Sequence, residues 1–177
     1  MSREVMIQPP RTMMEVFKSL PEGTLVQLIE NNLVMSPSPK DRHQETLEEI
    51  TFQLSAFVRR KKIGKVRFAP YDVYLDEKNA FQPDLVFISN ENSYKIQENG
   101  LHGAPDLVIE VLSPGTEKYD RKKKKDVYER CGVQEYWIVD PATKEVTGYT
   151  LRDGKFAELD MATGVIQSVL LATSLHF

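Results

Sequence analysis

A glutamate, Glu110, sits inside the apolar run Asp106-Leu107-Val108-Ile109-Glu110-Val111-Leu112. A carboxylate in the middle of a strand-like hydrophobic stretch is costly to bury unless a metal ion or a cation offsets its charge. Upstream, a second run opens Pro83-Asp84-Leu85-Val86-Phe87-Ile88; downstream, Ser113-Pro114-Gly115 is followed by Lys122-Lys123-Lys124-Lys125. Acid on one strand, acid on the next and lysine on the following helix is the order expected of a site for metal-assisted phosphodiester chemistry. Aligned side by side, Asp84 and Glu110 would share one hard cation such as magnesium, which takes oxygen ligands. The plainer reading of Asp84 is a turn aspartate that opens a strand after Pro83. For Glu110 the plainer reading is a buried salt bridge to a lysine of the next helix.

The four lysines are not equivalent. A helix over 117–131 places Lys124, Val127, Tyr128 and Cys131 at i, i+3, i+4 and i+7, on one stripe. That stripe holds the apolar residues and should face the sheet, so Lys124 points inward. Lys122 and Lys125 face outward, and Lys123 is the nearest rival. A charge run is otherwise a solvated helix face. An inward lysine beside a metal-bound water would orient that water, accept its proton if its own pKa were depressed, or stabilise charge on a phosphate oxygen.

Other polar residues have weaker claims. Asp106 lies four residues before Glu110 on the same strand face, and either assists the site or caps the strand start after Pro105. Glu30 flanks a hairpin turn, and is either an outer carboxylate at the sheet's end or a solvated turn residue. His43 falls on an apolar helical stripe, where a packed core histidine is the commoner outcome. His102 and His176 have no motif around them, and Tyr136-Trp137 reads as a core aromatic pair.

The elements that must position these residues can be read in outline. Residues 11–19 form a short helix ended by Pro21. Thr24 to Ile29 and Leu33 to Met35 make a β-hairpin whose turn is Asn31-Asn32. A strong helix follows, capped by Ser38 with Pro39 in its first position, and carries Leu47, Ile50, Leu54, Phe57 and Val58 to about Lys61. Residues 65–75 are extended with a bend at Pro70. The runs at 84–88 and 107–112 are central strands buried on both faces. The lysine helix stops at Gly132; Tyr136-Trp137-Ile138-Val139 is another buried strand. Strands near 145–151 and 155–159 share a turn at Asp153-Gly154.

Composition narrows the class. A chain of 177 residues fits one domain, here 1–177, with a single core. Its net charge of −3 lacks the overall basic signature of a nucleic-acid binder. One cysteine, Cys131, excludes an internal disulfide and suits a reducing compartment. No apolar stretch is long enough to cross a membrane, and Met1-Ser2-Arg3-Glu4-Val5 lacks a signal-peptide core. A cytoplasmic protein is expected.

The stretch Gly103-Ala104-Pro105-Asp106-Leu107-Val108-Ile109-Glu110-Val111-Leu112-Ser113-Pro114, followed by Asp120, Lys124 and Tyr128 and by Gly132-Val133-Gln134-Glu135-Tyr136-Trp137-Ile138-Val139-Asp140-Pro141, closely resembles the Uma-two family. That family of restriction endonuclease-like proteins is assigned to the PD-(D/E)XK nuclease superfamily. Ser36-Pro37 with His43, and Pro83-Asp84, extend the resemblance over nearly the whole chain. It implies Asp84 as the motif's aspartate and Glu110 as its second acid. Leu112 stands where the motif's lysine usually sits, which implies that Lys124 has taken that role. The family often has Glu-Leu-Ile-Asp-Gly in its first hairpin, whereas this chain has Gln27-Leu28-Ile29-Glu30-Asn31. Gln27 thus replaces an acid that is catalytic or supports catalysis, and Glu30 is the residue placed to compensate.

The expectation is an α/β (α+β) fold of restriction endonuclease type: a mixed central sheet flanked by helices, with β-hairpins in the N- and C-terminal parts. Asp84, Glu110 and Lys124 are the catalytic candidates. Magnesium or manganese is held by Asp84, Glu110 and the Val111 carbonyl, and Gln27, Glu30, His43, Asp106 and Tyr128 support the site. The expected reaction is hydrolysis of DNA by metal-activated water, with a homodimer expected from the fold. The alternative is a catalytically weak or inactive binding module for nucleic acid or protein, favoured by Gln27 and the negative charge. A hydrolase using the two carboxylates as general acid and base ranks last, because it gives the inward lysine no role.

Overall fold

The computed structural model describes residues 9–36 and 38–177; Pro37, part of the family resemblance, lies outside the described residues. Helix α1 (Met13–Lys18) starts from a reciprocal cap. The Thr12 side chain accepts from the Glu15 amide, and the Glu15 carboxylate accepts from the Thr12 amide. Strands β1 (Val26–Ile29) and β2 (Asn32–Met35) form the first hairpin. Its turn is Glu30-Asn31, both at positive φ, one residue earlier than expected, because Asn32 already pairs with Ile29.

Helix α2 (Asp41–Lys61) begins later than expected: Lys40 holds the cap position in extended conformation with no side-chain cap bond, so Ser38 does not cap it. The expected extended stretch 65–75 divides at the cis Ala69–Pro70 bond into β3 (Gly64–Phe68) and β4 (Val73–Asp76), which join different sheets. Then come β5 (Asn79–Phe81), β6 (Leu85–Ser89), β7 (Ile96–Gln97), β8 (Gly100–His102) and β9 (Leu107–Val111). A π-helical stretch, Tyr119–Lys124, runs directly into α3 (Lys125–Cys131), which Gly132 ends in the left-handed conformation. Strands β10 (Glu135–Val139), β11 (Glu145–Arg152), β12 (Lys155–Glu158), β13 (Ala162–Thr163), β14 (Val165–Ser168) and β15 (Thr173–His176) complete the chain.

The central sheet runs β12-β11-β10-β9-β6-β3, with β13 on β11; β9 and β10 are parallel and the other pairs antiparallel. A second sheet, β2-β1-β5-β4-β8-β7, and the hairpin β14-β15 pack around it. This is the expected α+β architecture. Strand alternation then decides where each residue of β9 points. Leu107, Ile109 and Val111 share a core with Leu47, Ile50, Leu54 and Val58 of α2, while Val108 and Leu112 share one with Val127 and Tyr128 of α3. Glu110, between Ile109 and Val111, is therefore on the α3 side of the sheet, toward the lysine helix. Among the described residues no helix is long and apolar enough to cross a membrane.

Candidate active site

The register of β6 and β9 brings the two acids together. Leu85 pairs with Ile109 in that antiparallel ladder, so one further step puts Asp84 opposite Glu110 at the strand ends. Asp84 Oδ2 accepts from the Val111 amide at 2.8 Å and contacts His43 Nε2 at 3.2 Å. Its other oxygen, Oδ1, has no partner among the described residues. Glu110 is only 3% exposed, and its Oε1 accepts from the Lys124 ammonium and from the Tyr128 hydroxyl, each at 2.8 Å. Oε2 accepts from none of the described residues. Each carboxylate is thus fixed through one oxygen and retains another.

These residues border one cleft of about 400 Å³, lined by Gln27, His43, Asp84, Glu110, Val111 and Lys124 among others. A shallower hollow of about 650 Å³ alongside is lined by Phe52 and Phe68 with Glu48 and Glu49, and offers no lysine or histidine. The smaller cleft is the chemically equipped one.

Helical phase selects the inward lysine as expected. Lys124 is buried, while Lys122 and Lys123 are exposed and Lys125 lies over the Tyr149 ring. The Lys124 ammonium also meets Asp120 Oδ1 at 2.9 Å, four residues back on the same helical segment. Burial pushes the lysine's pKa down, but Asp120 and Glu110 more than offset this, and the amine is held charged, above its ordinary range. Proton acceptance by a depressed lysine is therefore not the role the two carboxylates favour; donation and charge stabilisation are. Burial pushes Glu110 up to about 8; Lys124 opposes the rise, and Asp120 and Asp84 add to it. The Tyr128 hydroxyl is raised well above its usual value, first by burial and then by Glu110, and stays a donor.

His43 is a neighbour of the acids as well as a core residue. Burial lowers its pKa, but the bond to Asp84, helped by the Val111 backbone and by Glu110, outweighs it and leaves the imidazole raised. Its Nδ1 is buried without a hydrogen-bond partner. Gln27 also borders the cleft, where both ends of its amide have a partner: Oε1 accepts from the Gln82 amide at 3.2 Å, and Nε2 donates to Ser36 Oγ at 2.9 Å.

Two expected supporters lie elsewhere. Asp106 is just before the opposite end of β9, where its carboxylate accepts from the Ser89 amide, Asn92 Nδ2 and Gln134 Nε2. It ties loops together at the strand start, as its plainer reading held. Glu30 is exposed and paired with Arg130 and Asn79, so it does not compensate for Gln27. The Arg130 guanidinium beside it holds its carboxyl below the usual range. The reading from sequence named Asp120 only within the family resemblance and gave it no part in the site, because by itself it resembles any solvated acid in a charged helix. Its spacing of four from Lys124, on the inward stripe, was the available signal.

The model of the Uma-two family, described as "Putative restriction endonuclease", matches residues 14–175. The chain belongs to the Uma-two family. Among solved structures, one crystal structure titled as a "putative nuclease belonging to DUF820" from Anabaena variabilis ATCC 29413 superposes with a TM-score of 0.74 at 21% identity, covering 92% of each chain. The restriction endonuclease-like fold is thereby shared over nearly the full length. A search of curated proteins found no match.

Leu112, two residues after Glu110, is buried against the α3 side of the core, its amide donating to the Val139 carbonyl. The ammonium that meets Glu110 comes from the helix. Among the described residues no group of three or more His, Cys, Asp or Glu side chains could hold a metal by itself. Two carboxylates with one open oxygen each nevertheless fit magnesium, which is usually held by one or two carboxylates plus waters and substrate phosphate.

Proposed function

We propose that this Uma-two protein is a divalent-metal-dependent endonuclease that hydrolyses DNA phosphodiester bonds in the cleft between β6, β9 and the lysine helix. The observation that carries this reading is the placement of Asp84, Glu110 and Lys124 around one cleft, with an oxygen of each acid left without a protein donor. Asp84 and Glu110 would hold magnesium or manganese, with the Val111 carbonyl at the same strand end. A bound ion supplies a water of lowered pKa and neutralises charge on the scissile phosphate. Lys124, kept charged, donates to the attacking water or to a phosphate oxygen. Tyr128 holds Glu110 Oε1 in place, and His43 fixes Asp84 Oδ2. A cytoplasmic location goes with this reading.

The test is cleavage of supercoiled plasmid and of oligonucleotides with Mg²⁺ or Mn²⁺, comparing wild type with Glu110→Ala and Lys124→Ala. Loss in both variants is expected, and equal cleavage by all three proteins overturns the site. One observation favours a second reading, a nucleic-acid-binding module that keeps the metal but cuts weakly: Gln27 stands in the cleft where an acid is usual, with its amide already engaged. Metal binding by calorimetry with no cleavage of any nucleic acid would select that alternative.

A further inference from the structure

Lys124 is shared between two buried carboxylates that differ in what else they can reach. Glu110 borders the cleft; Asp120, 1% exposed, is absent from its lining. Asp120 is instead built into the helical segment: its amide donates to the Thr116 carbonyl, and its carbonyl accepts from the Tyr136 hydroxyl at 3.0 Å. Its Oδ1 meets the Lys124 ammonium at 2.9 Å as an ion pair and has no other polar partner among the described residues. With Glu110 ionised to meet a cation, the two acids and the lysine sum to one negative charge. A lysine with Glu110 as its only counter-ion would bind that acid the more tightly and compete with any cation in the cleft.

Resting on the metal-site reading above, we propose that Asp120 is a positioning residue: it is the standing counter-ion of Lys124 and frees Glu110 to turn its charge toward a divalent cation in the cleft. The helix then keeps the ammonium in place whichever partner Glu110 takes. Glu110 reaches the same ammonium from a different element, through Oε1, with Oε2 left to face a cation.

The experiment measures Mn²⁺ affinity by calorimetry, without nucleic acid, for the full chain and for Asp120→Asn, Lys124→Met and the double variant. Asp120→Asn should bind Mn²⁺ roughly tenfold or more weakly than wild type, within the range seen when an outer partner of a metal ligand is removed. In the double variant affinity should return to near the wild-type value, because no lysine then competes for Glu110. A purely structural role would lower thermal stability and leave Mn²⁺ affinity unmoved. If Asp120→Asn fails to fold, Asp120→Ser, which leaves room for a water, makes the same comparison. Equal affinity in wild type and the Asp120 variant overturns this inference and leaves the metal site standing. Weak binding that Lys124→Met does not restore also overturns it. Absence of Mn²⁺ binding by wild type overturns both readings.

Discussion

The Lys124 ammonium lies 2.8 Å from Glu110 Oε1, joining a strand and a helix across the face of the central sheet. In this protein the acid and the cation of the site belong to different elements, and Leu112, two residues after Glu110, is left to the core. The position of the lysine is therefore a property of tertiary packing.

Lys124 should be irreplaceable among the four lysines. Lys124→Met should lower the DNA cleavage rate by about 10²–10³, the usual cost of losing one donor to developing negative charge. Lys123→Ala, at an exposed position, should leave the rate unchanged. Plasmid nicking under single-turnover conditions compares them, and equal losses would remove the special status of Lys124.

The metal-free protein should lose stability as pH rises. Glu110 has a folded-state pKa of about 8 against 4.5 for an unperturbed glutamate, so between those values the folded chain binds the extra proton. The contribution is complete below about pH 4.5, declines between the two values and is gone above about 8. Thermal unfolding of Glu110→Gln, whose amide does not titrate, should show a visibly flatter pH dependence over that window. Identical slopes for variant and wild type would contradict the buried, protonated glutamate.

Divalent metal should bind with release of a proton. At pH 7 Glu110 gives up its proton to coordinate a cation, so affinity should rise as pH climbs toward 8. Calorimetric titration with Mn²⁺ in buffers of different ionisation enthalpy measures the released proton directly. Asp84→Asn and Glu110→Gln should each abolish the thermal stabilisation that Mn²⁺ confers; retention in either would move the ion elsewhere.

Asp106 should matter for folding and not for cutting. Three donors converge on its carboxylate away from the cleft, so Asp106→Ala strands them and should cost about 1–3 kcal/mol. Urea denaturation should register the loss, while cleavage per folded molecule stays at the wild-type rate. A fall in that specific rate would return Asp106 to the site.

The central strands were readable because continuous apolar runs mark strands covered on both faces, and Lys124 because helical phase is a local property. Elements whose formation depends on distant partners were not. The short strands β5, β7 and β8 and the hairpin β14-β15 have no long apolar run, and they exist through pairing and packing. Glu135, fully buried, accepts from Trp137 Nε1, Ser168 Oγ and the Leu170 amide and so anchors that last hairpin, a relation no sequence spacing announces. The same limit hid the contact of His43 with Asp84 and made Asp106 and Glu30 look closer to the site than they are.

Placing the lysine on a helix has one more consequence. A cation two residues from its acid on one strand is assembled as soon as that strand forms. Here the strands can pair with both acids in register while the helix remains undocked, and such a chain would hold ligands for an ion but lack the ammonium. On the proposed nuclease reading, competence to cut therefore requires the docking of Val127 and Tyr128 onto the sheet. On that reading, a chain with this helix undocked is one that does not cut.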